Sequence, residues 1–261
     1  MLKLGAIGTA SSHLAHFARE LAGDVRIVRA LALPGDPRNV PVGIELREAA
    51  EGFADGLDGI LVLTRDGRNH AAEALPYLAQ GLPVFIDKPL ACDLISAEKI
   101  VSAGRVASFS VLRFSPEIEE LRRNGIALRE IRVPGNSASP NAGFWFLGIH
   151  GAELACALAG RPRIESVSVE SGVLAARLTG TSGAFDMVLD PAAKDYELRH
   201  RDGHIILDVE IAYREGARQL ERFFAGEDVI AAADMLAPVA LLEEVLTRAL
   251  ARAIPKVSSL A

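Results

Sequence analysis

Gly8-Thr9-Ala10-Ser11-Ser12-His13 is the first stretch of the chain whose residue types can do binding chemistry. A short apolar run, Leu2 to Ile7, leads into it. A helix-like pattern leaves it, with Leu14, Phe17, Ala18 and Leu21 at i, i+3, i+4, i+7. A glycine turn between a buried strand and a helix start exposes backbone amides, which suit a phosphate. A dinucleotide fingerprint reads G-x-G-x-x-G at such a turn. Here only Gly8 is kept, and Ala10 and His13 stand at the other two glycine positions. Ser11 and Ser12 can give hydroxyls to a phosphate, or one of them can cap the helix. His13 is either a cofactor contact or part of the helix start. Taken alone, the loop is equally an ordinary strand-to-helix turn. A ribose-reading acid belongs near the end of the second strand. Leu33-Pro34-Gly35-Asp36-Pro37-Arg38 offers Asp36 there, and Arg38 for a 2′-phosphate. A turn with a solvated charge pair is the plainer reading, and NAD and NADP both stay open.

The elements that must position this loop alternate in type. Val25 to Leu33, Gly59 to Thr64 and Pro83 to Asp87 read as buried strands, and Ala107 to Arg113 as one more. Ala71 to Ala79 reads as a helix between two of them. Strands alternating with helices predict a doubly wound parallel sheet, which binds ligands at the carboxyl ends of its strands. Beyond that point the apolar period becomes two. Val167 and Val169 show it, as do Phe185, Met187 and Leu189, and then Tyr196, Leu198 and His200. Gly172, Gly180-Thr181-Ser182-Gly183 and Asp202-Gly203 supply the turns. Ala217, Leu220 and Phe224, then Leu242, Val245, Leu246 and Ala249, predict closing helices. The fold expected is α/β. A Rossmann-like doubly wound domain spans 1–113, followed by an α+β domain over 114–261 with a mainly antiparallel open sheet. The last helices can pack back on the first domain.

Composition narrows the partners. Half of the 261 residues are hydrophobic (50%) and 24% are charged, enough apolar surface for a sizeable core. A net charge of −6 without a basic block argues against nucleic acid or an anionic membrane as partner. No apolar run approaches the roughly 18 residues that cross a bilayer. Cys92 and Cys156 build neither a disulfide framework nor a zinc site, so a reduced, cytoplasmic, metal-free protein is expected. The charge-rich Glu117 to Arg123 reads as a helix with Ile118 and Leu121 turned inward. The period-2 strands carry an apolar side that a short second domain leaves partly bare. That predicts a homo-oligomer, a dimer or tetramer, through the C-terminal sheet.

A resemblance then runs along nearly the whole chain. Gln80-Gly81-Leu82-Pro83-Val84-Phe85-Ile86-Asp87-Lys88-Pro89-Leu90-Ala91 resembles the G-K-x-V-x-x-E-K-P-L-A signature of the Gfo/Idh/MocA oxidoreductases, with Asp87 where Glu is usual. Thr64-Arg65-Asp66-Gly67-Arg68-Asn69-His70 is similar to the family's T-P-x-x-x-H segment, with Arg65 for Pro and one extra residue. Arg113-Phe114-Ser115-Pro116 resembles R-F-x-P. Gly148-Ile149-His150-Gly151-Ala152-Glu153-Leu154 resembles G-x-H-x-x-D-L, with Glu153 for Asp. The motifs stand in the family's order.

The resemblance implies NAD(P)-dependent hydride transfer on a small sugar-, cyclitol- or hydroxy-acid-like molecule. It implies that Lys88 contacts substrate and nicotinamide ribose, and that His150 is the acid/base. A histidine near neutral pKa suits removal of a hydroxyl proton as hydride leaves. A neighbouring ammonium can polarise the same oxygen and keep the histidine neutral. By position the resemblance draws cofactor contacts from Gly8, Thr9, Ala10, Ser11, Ser12, His13, Arg38, Thr64, Arg65, His70, Asp87, Lys88 and Arg113. Trp145, Phe146 and Glu153 become candidates for substrate contact. Two departures stand out. The glycine fingerprint is incomplete, and Phe146 replaces an Asp that many catalytic members hold four residues before the histidine. The second reading is therefore a non-catalytic ligand-binding or regulatory relative of the same fold.

Overall fold

A computed structural model describes residues 1–21, 23–125, 127–181 and 183–253. Ser182, assigned above to a turn, lies outside the described residues. The first sheet is built from β1 (Leu2–Ile7), β2 (Val25–Leu31), β3 (Glu45–Arg47), β4 (Gly59–Val62), β5 (Val84–Asp87) and β6 (Val106–Phe109). Its order is β3-β2-β1-β4-β5-β6, and each pairing is parallel. Helices α1 (His13–Glu20), α2 (His70–Leu78) and α3 (Leu94–Ala103) supply crossovers. β4 and β5 are buried along their whole length, as unbroken apolar runs between two helical layers should be. The short β3 has no counterpart in the sequence reading.

The stretch read as one strand over Ala107 to Arg113 is divided. β6 ends at Phe109, and Val111–Phe114 winds into a 3-10 turn. The cause is Ser110, whose Oγ accepts the Leu112 amide at 3.3 Å and so caps the turn. Pro116 then opens α4 (Pro116–Asn124), with Ile118 and Leu121 buried.

The second sheet contains β7 (Leu128–Pro134), β8 (Arg163–Glu170), β9 (Val173–Gly180), β10 (Gly183–Asp190), β11 (Glu197–His200) and β12 (Gly203–Ile206). The order is β12-β11-β7-β10-β9-β8. Among the described residues only β7 and β10 pair in parallel there. α5 (Trp145–Ala159) and α7 (Ala232–Ala253) lie on its apolar face, and α6 (Val209–Phe224) crosses to pack on α1 and the 111–114 turn. The apolar side read from the sequence is therefore covered. Ile131, Val133, Leu174, Leu178, Phe185, Met187 and Leu189 are fully buried. The open side instead carries ion pairs. Arg132 bridges Glu130 and Asp190, and Arg177 meets Asp186. The premise of an uncovered apolar face is corrected by the length of α5 and α7.

Candidate active site

The glycine loop turns where the sequence requires it. Gly8 has φ +90°, and a Cβ there would meet Thr64 Cγ2 at 2.8 Å. The Thr9 amide donates to Asp36 Oδ2 at 2.8 Å, and the Thr9 hydroxyl donates to the Pro37 carbonyl at 2.6 Å. Asp36 also accepts the Leu33 amide at 3.2 Å. The carboxylate proposed as a ribose reader thus ties the loop after β2 onto the glycine turn. Ser12 occupies the helix N-cap without a side-chain cap bond, and Ser11 Oγ accepts the His13 amide at 3.2 Å. The amides of Ala10, Ser11 and Ser12 donate to no acceptor among the described residues. They form an open cradle at the start of α1. His13 lies at the third glycine position with Nδ1 2.9 Å from Asp87 Oδ1.

The ends of β4 and β5 are braced together. His70 is fully buried, its ring nitrogens 2.6 Å from the Pro89 carbonyl and 3.1 Å from the Thr64 carbonyl. Thr64 Oγ1 donates to Glu73 at 2.5 Å. The Lys88–Pro89 bond is cis. Lys88 is buried, donates from Nζ to the Phe146 carbonyl at 3.0 Å, and lies 5.0 Å from that ring's centroid. The Arg65 guanidinium lies 4.8 Å from the same centroid.

His150 faces Lys88 from the other domain. α5 approaches its sheet closely because Gly148 has no side chain; a Cβ there would meet Leu189 Cδ1 at 2.7 Å. His150 Nδ1 is 2.7 Å from Ser110 Oγ, which can donate to it or accept from it. This bond leaves Nε2 as the ring atom without a protein partner among the described residues. The Tyr196 ring stands edge-on to the imidazole at 4.9 Å.

Charge is distributed unevenly. Burial, then the Lys88 and His13 charges, hold His150 well below its usual 6.5, so the imidazole is neutral at pH 7. Burial lowers the Lys88 ammonium; Asp87 opposes this and Arg65 adds to it. Burial would raise Asp87, but His13 and Lys88 more than offset it and the carboxyl ends lowered. Burial pushes the Tyr196 phenol up to about 12 and raises Tyr213 as well.

These groups line a cavity of about 340 Å³ between the two sheets. Of the residues expected from the sequence, Ala10, Ser11, Ser12, His13, Arg65, Asp87, Lys88, Phe146 and His150 reach it. Thr9 borders an adjoining cleft of about 1070 Å³ along α1 and the 37–44 loop. Gly8, Thr64 and His70 stand behind the wall as backbone supports. Arg38 lies on the surface, 2.8 Å from Glu48. Arg113 and Glu153 are absent from the lining: they form a buried ion pair with each other at 2.7 Å. Trp145 faces a different hollow, beside Cys92 and Ser137. The structure adds Ser110, Tyr196 and Tyr213, which the sequence reading left out of the site. Tyr196 carried a faint signal, as the first inward residue of a period-2 strand. Ser110 and Tyr213 carried none, since only the chain's path brings them to His150 and His13. Among the described residues no cluster of three His, Cys, Asp or Glu side chains could hold a metal. No helix among them is long and apolar enough to cross a membrane.

No family model and no curated protein matches the sequence. Solved structures do match its fold over nearly the whole chain. UDP-N-acetylglucosamine 3-dehydrogenase GnnA from Acidithiobacillus ferrooxidans superposes with a TM-score of 0.76 at 16% identity. The match covers 96% of this chain and 98% of that one. The WlbA (WbpB) dehydrogenase from Thermus thermophilus, solved with NAD and UDP-GlcNAcA, gives 0.70 at 16% identity over 93% and 95%. A dehydrogenase (MviM) from Clostridium difficile gives 0.71 at 15% over 94% and 99%. The chain therefore has the two-domain fold of these dehydrogenases, as the motif resemblance implied.

Proposed function

We propose that this chain is a cytoplasmic NAD(P)-dependent oxidoreductase acting on a hydroxyl or keto group of a small sugar-, cyclitol- or hydroxy-acid-like substrate. The observation that carries the reading is the meeting of Lys88 and His150 at one cavity, beside the open amides of Ala10, Ser11 and Ser12. The cradle fits a dinucleotide. A Cβ at Gly8 would fill the turn, while the extra methyl of Ala10 lies exposed to solvent rather than inside the loop. Ala10, Ser11 and Ser12 would hold the pyrophosphate, and Arg65, Asp87 and Lys88 would border the nicotinamide end. The fold neighbours include an NAD complex, which supports the same cofactor class.

The dinucleotide, when bound, supplies the hydride acceptor or donor. The chain's residues handle the proton. Lys88 Nζ polarises the substrate oxygen. His150, neutral at pH 7, takes the hydroxyl proton at Nε2 in oxidation or returns it in reduction. Ser110 Oγ at Nδ1 fixes the ring so that Nε2 is presented to the substrate. Tyr196 closes the cavity over the imidazole. Association of copies through the open sheet face belongs to the same reading, tested by light scattering at micromolar concentration.

Calorimetry with NADH and NADPH, on wild type and Lys88→Ala, tests the proposal. Micromolar binding of either cofactor, with turnover lost in Lys88→Ala and His150→Ala, is the expected result. Absence of binding by both would overturn it in favour of a non-catalytic relative.

A further inference from the structure

We propose that the substrate carries a carboxylate, which Arg65 and Lys88 receive where they converge on the Phe146 ring. The proposal rests on the oxidoreductase reading and adds the substrate's charge to it. Arg65 makes no hydrogen bond or ion pair among the described residues, although most arginines of the chain do. Its guanidinium is exposed and held only by the ring face, 4.8 Å from the centroid. Lys88 lies 5.0 Å from the same centroid, so two like charges are gathered at one aromatic ring. The cavity offers little to balance them. Asp87 is its one lining carboxylate among the described residues, and it is shared between Lys88 and His13, which stands 2.9 Å away.

A neutral polyol would leave the two cations facing each other. A carboxylate would relieve their repulsion and match the planar fork of Arg65 bidentately. The same anion chemistry could come from the phosphates of the dinucleotide, and the test separates the two sources.

With NADH-saturated protein, affinities are measured for D-glucuronate against D-glucose, D-galacturonate against D-galactose, and glycerate against glycerol. Each pair differs chiefly in the carboxylate. The carboxylate member is expected to bind about tenfold more tightly or better, the range of one charge-assisted hydrogen bond. Arg65→Gln should erase most of that margin, lowering the affinity of each carboxylate member far more than that of its neutral partner; the side chain is exposed, so the fold tolerates the change. Equal affinity within every pair, or no binding by any carboxylate, overturns the proposal. So does an Arg65→Gln variant that weakens NADH instead, since Arg65 then serves the dinucleotide. If wild type binds no NADH, the oxidoreductase reading falls, and the same pairs run on the protein alone still decide the carboxylate question.

Discussion

Replacing Arg113 by methionine tests how the candidate base is held. Arg113 Nη1 lies 2.7 Å from Glu153 Oε2, and the two side chains are only 11% and 5% exposed. Glu153 also takes a hydrogen bond from the backbone of Ser110, the residue that holds His150. Burial pushes the Glu153 carboxyl above its usual 4.5, and Arg113 pulls it partly back. Arg113→Met keeps most of the volume and leaves a buried carboxylate without its counter-charge. Losing one partner of a buried pair costs about 3–5 kcal/mol. In a protein of this size that lowers Tm by about 6–20 °C. The sign of the pH dependence follows from the raised pKa. A carboxyl raised in the fold favours folding when protonated, and that contribution is lost as pH rises through the folded pKa. The deficit of Arg113→Met should therefore be full near neutrality and shrink toward 4.5. Urea unfolding of wild type, Arg113→Met, Glu153→Gln and the double variant, at about pH 8 and about pH 5, measures this. The double variant should recover much of the loss, because neither charge remains. A deficit below about 1 kcal/mol, or one equal at both pH values, would refute the reasoning.

Two further predictions concern the cleft. The acid limb of kcat/KM should lie below 6.5, because burial and the Lys88 charge keep His150 neutral down to lower pH. An alkaline limb from the lowered Lys88 should fall below 10.5; an acid limb with its midpoint at 6.5 or above would contradict the His150 assignment. Gly8→Ala places a Cβ at φ +90° and 2.8 Å from Thr64 Cγ2, which costs about 1–3 kcal/mol. Calorimetry should also find its dinucleotide affinity lost, and unchanged binding would show that the turn is not the cradle.

The parallel sheet was legible because its strands are local apolar runs ending in glycine or a charged residue. Leu2–Ile7 and Val84–Asp87 are visible without knowing what covers them. β3 escaped because Glu45–Arg47 has no apolar pattern; its pairing with β2 comes from position alone. The end of β6 escaped for another reason. Propensity favours a strand through Val111 and Leu112, and a single side-chain bond from Ser110 overrides it. Arg113 and Glu153 are site candidates in the sequence because they occupy motif positions. The structure turns them toward each other, since two buried opposite charges must pair. Lys88 and His150 were found through motif order. Tyr196 and Tyr213 reach the cavity from β11's approach and α6, which no local spacing connects to the first sheet.

Phe146 is the departure from the resembled pattern that the structure explains best. An aspartate at this place would pair with Lys88 and help to orient His150. Here the two tasks are divided. The Phe146 carbonyl accepts Lys88 Nζ at 3.0 Å, and the ring face supplies a cation–π contact of about 0.5–2 kcal/mol. Orientation of the imidazole passes to Ser110, whose neutral hydroxyl leaves no negative charge beside the ring. The consequence is electrostatic. A carboxylate next to His150 would raise its pKa, whereas burial, then the Lys88 and His13 charges, lower it. The imidazole is thereby kept as a free base across neutral pH, and the cavity keeps positive charge that an aspartate would have cancelled. Both features accord with a phenylalanine on the first turn of α5 and with the proposed substrate, an anion that gives up a hydroxyl proton to a neutral base.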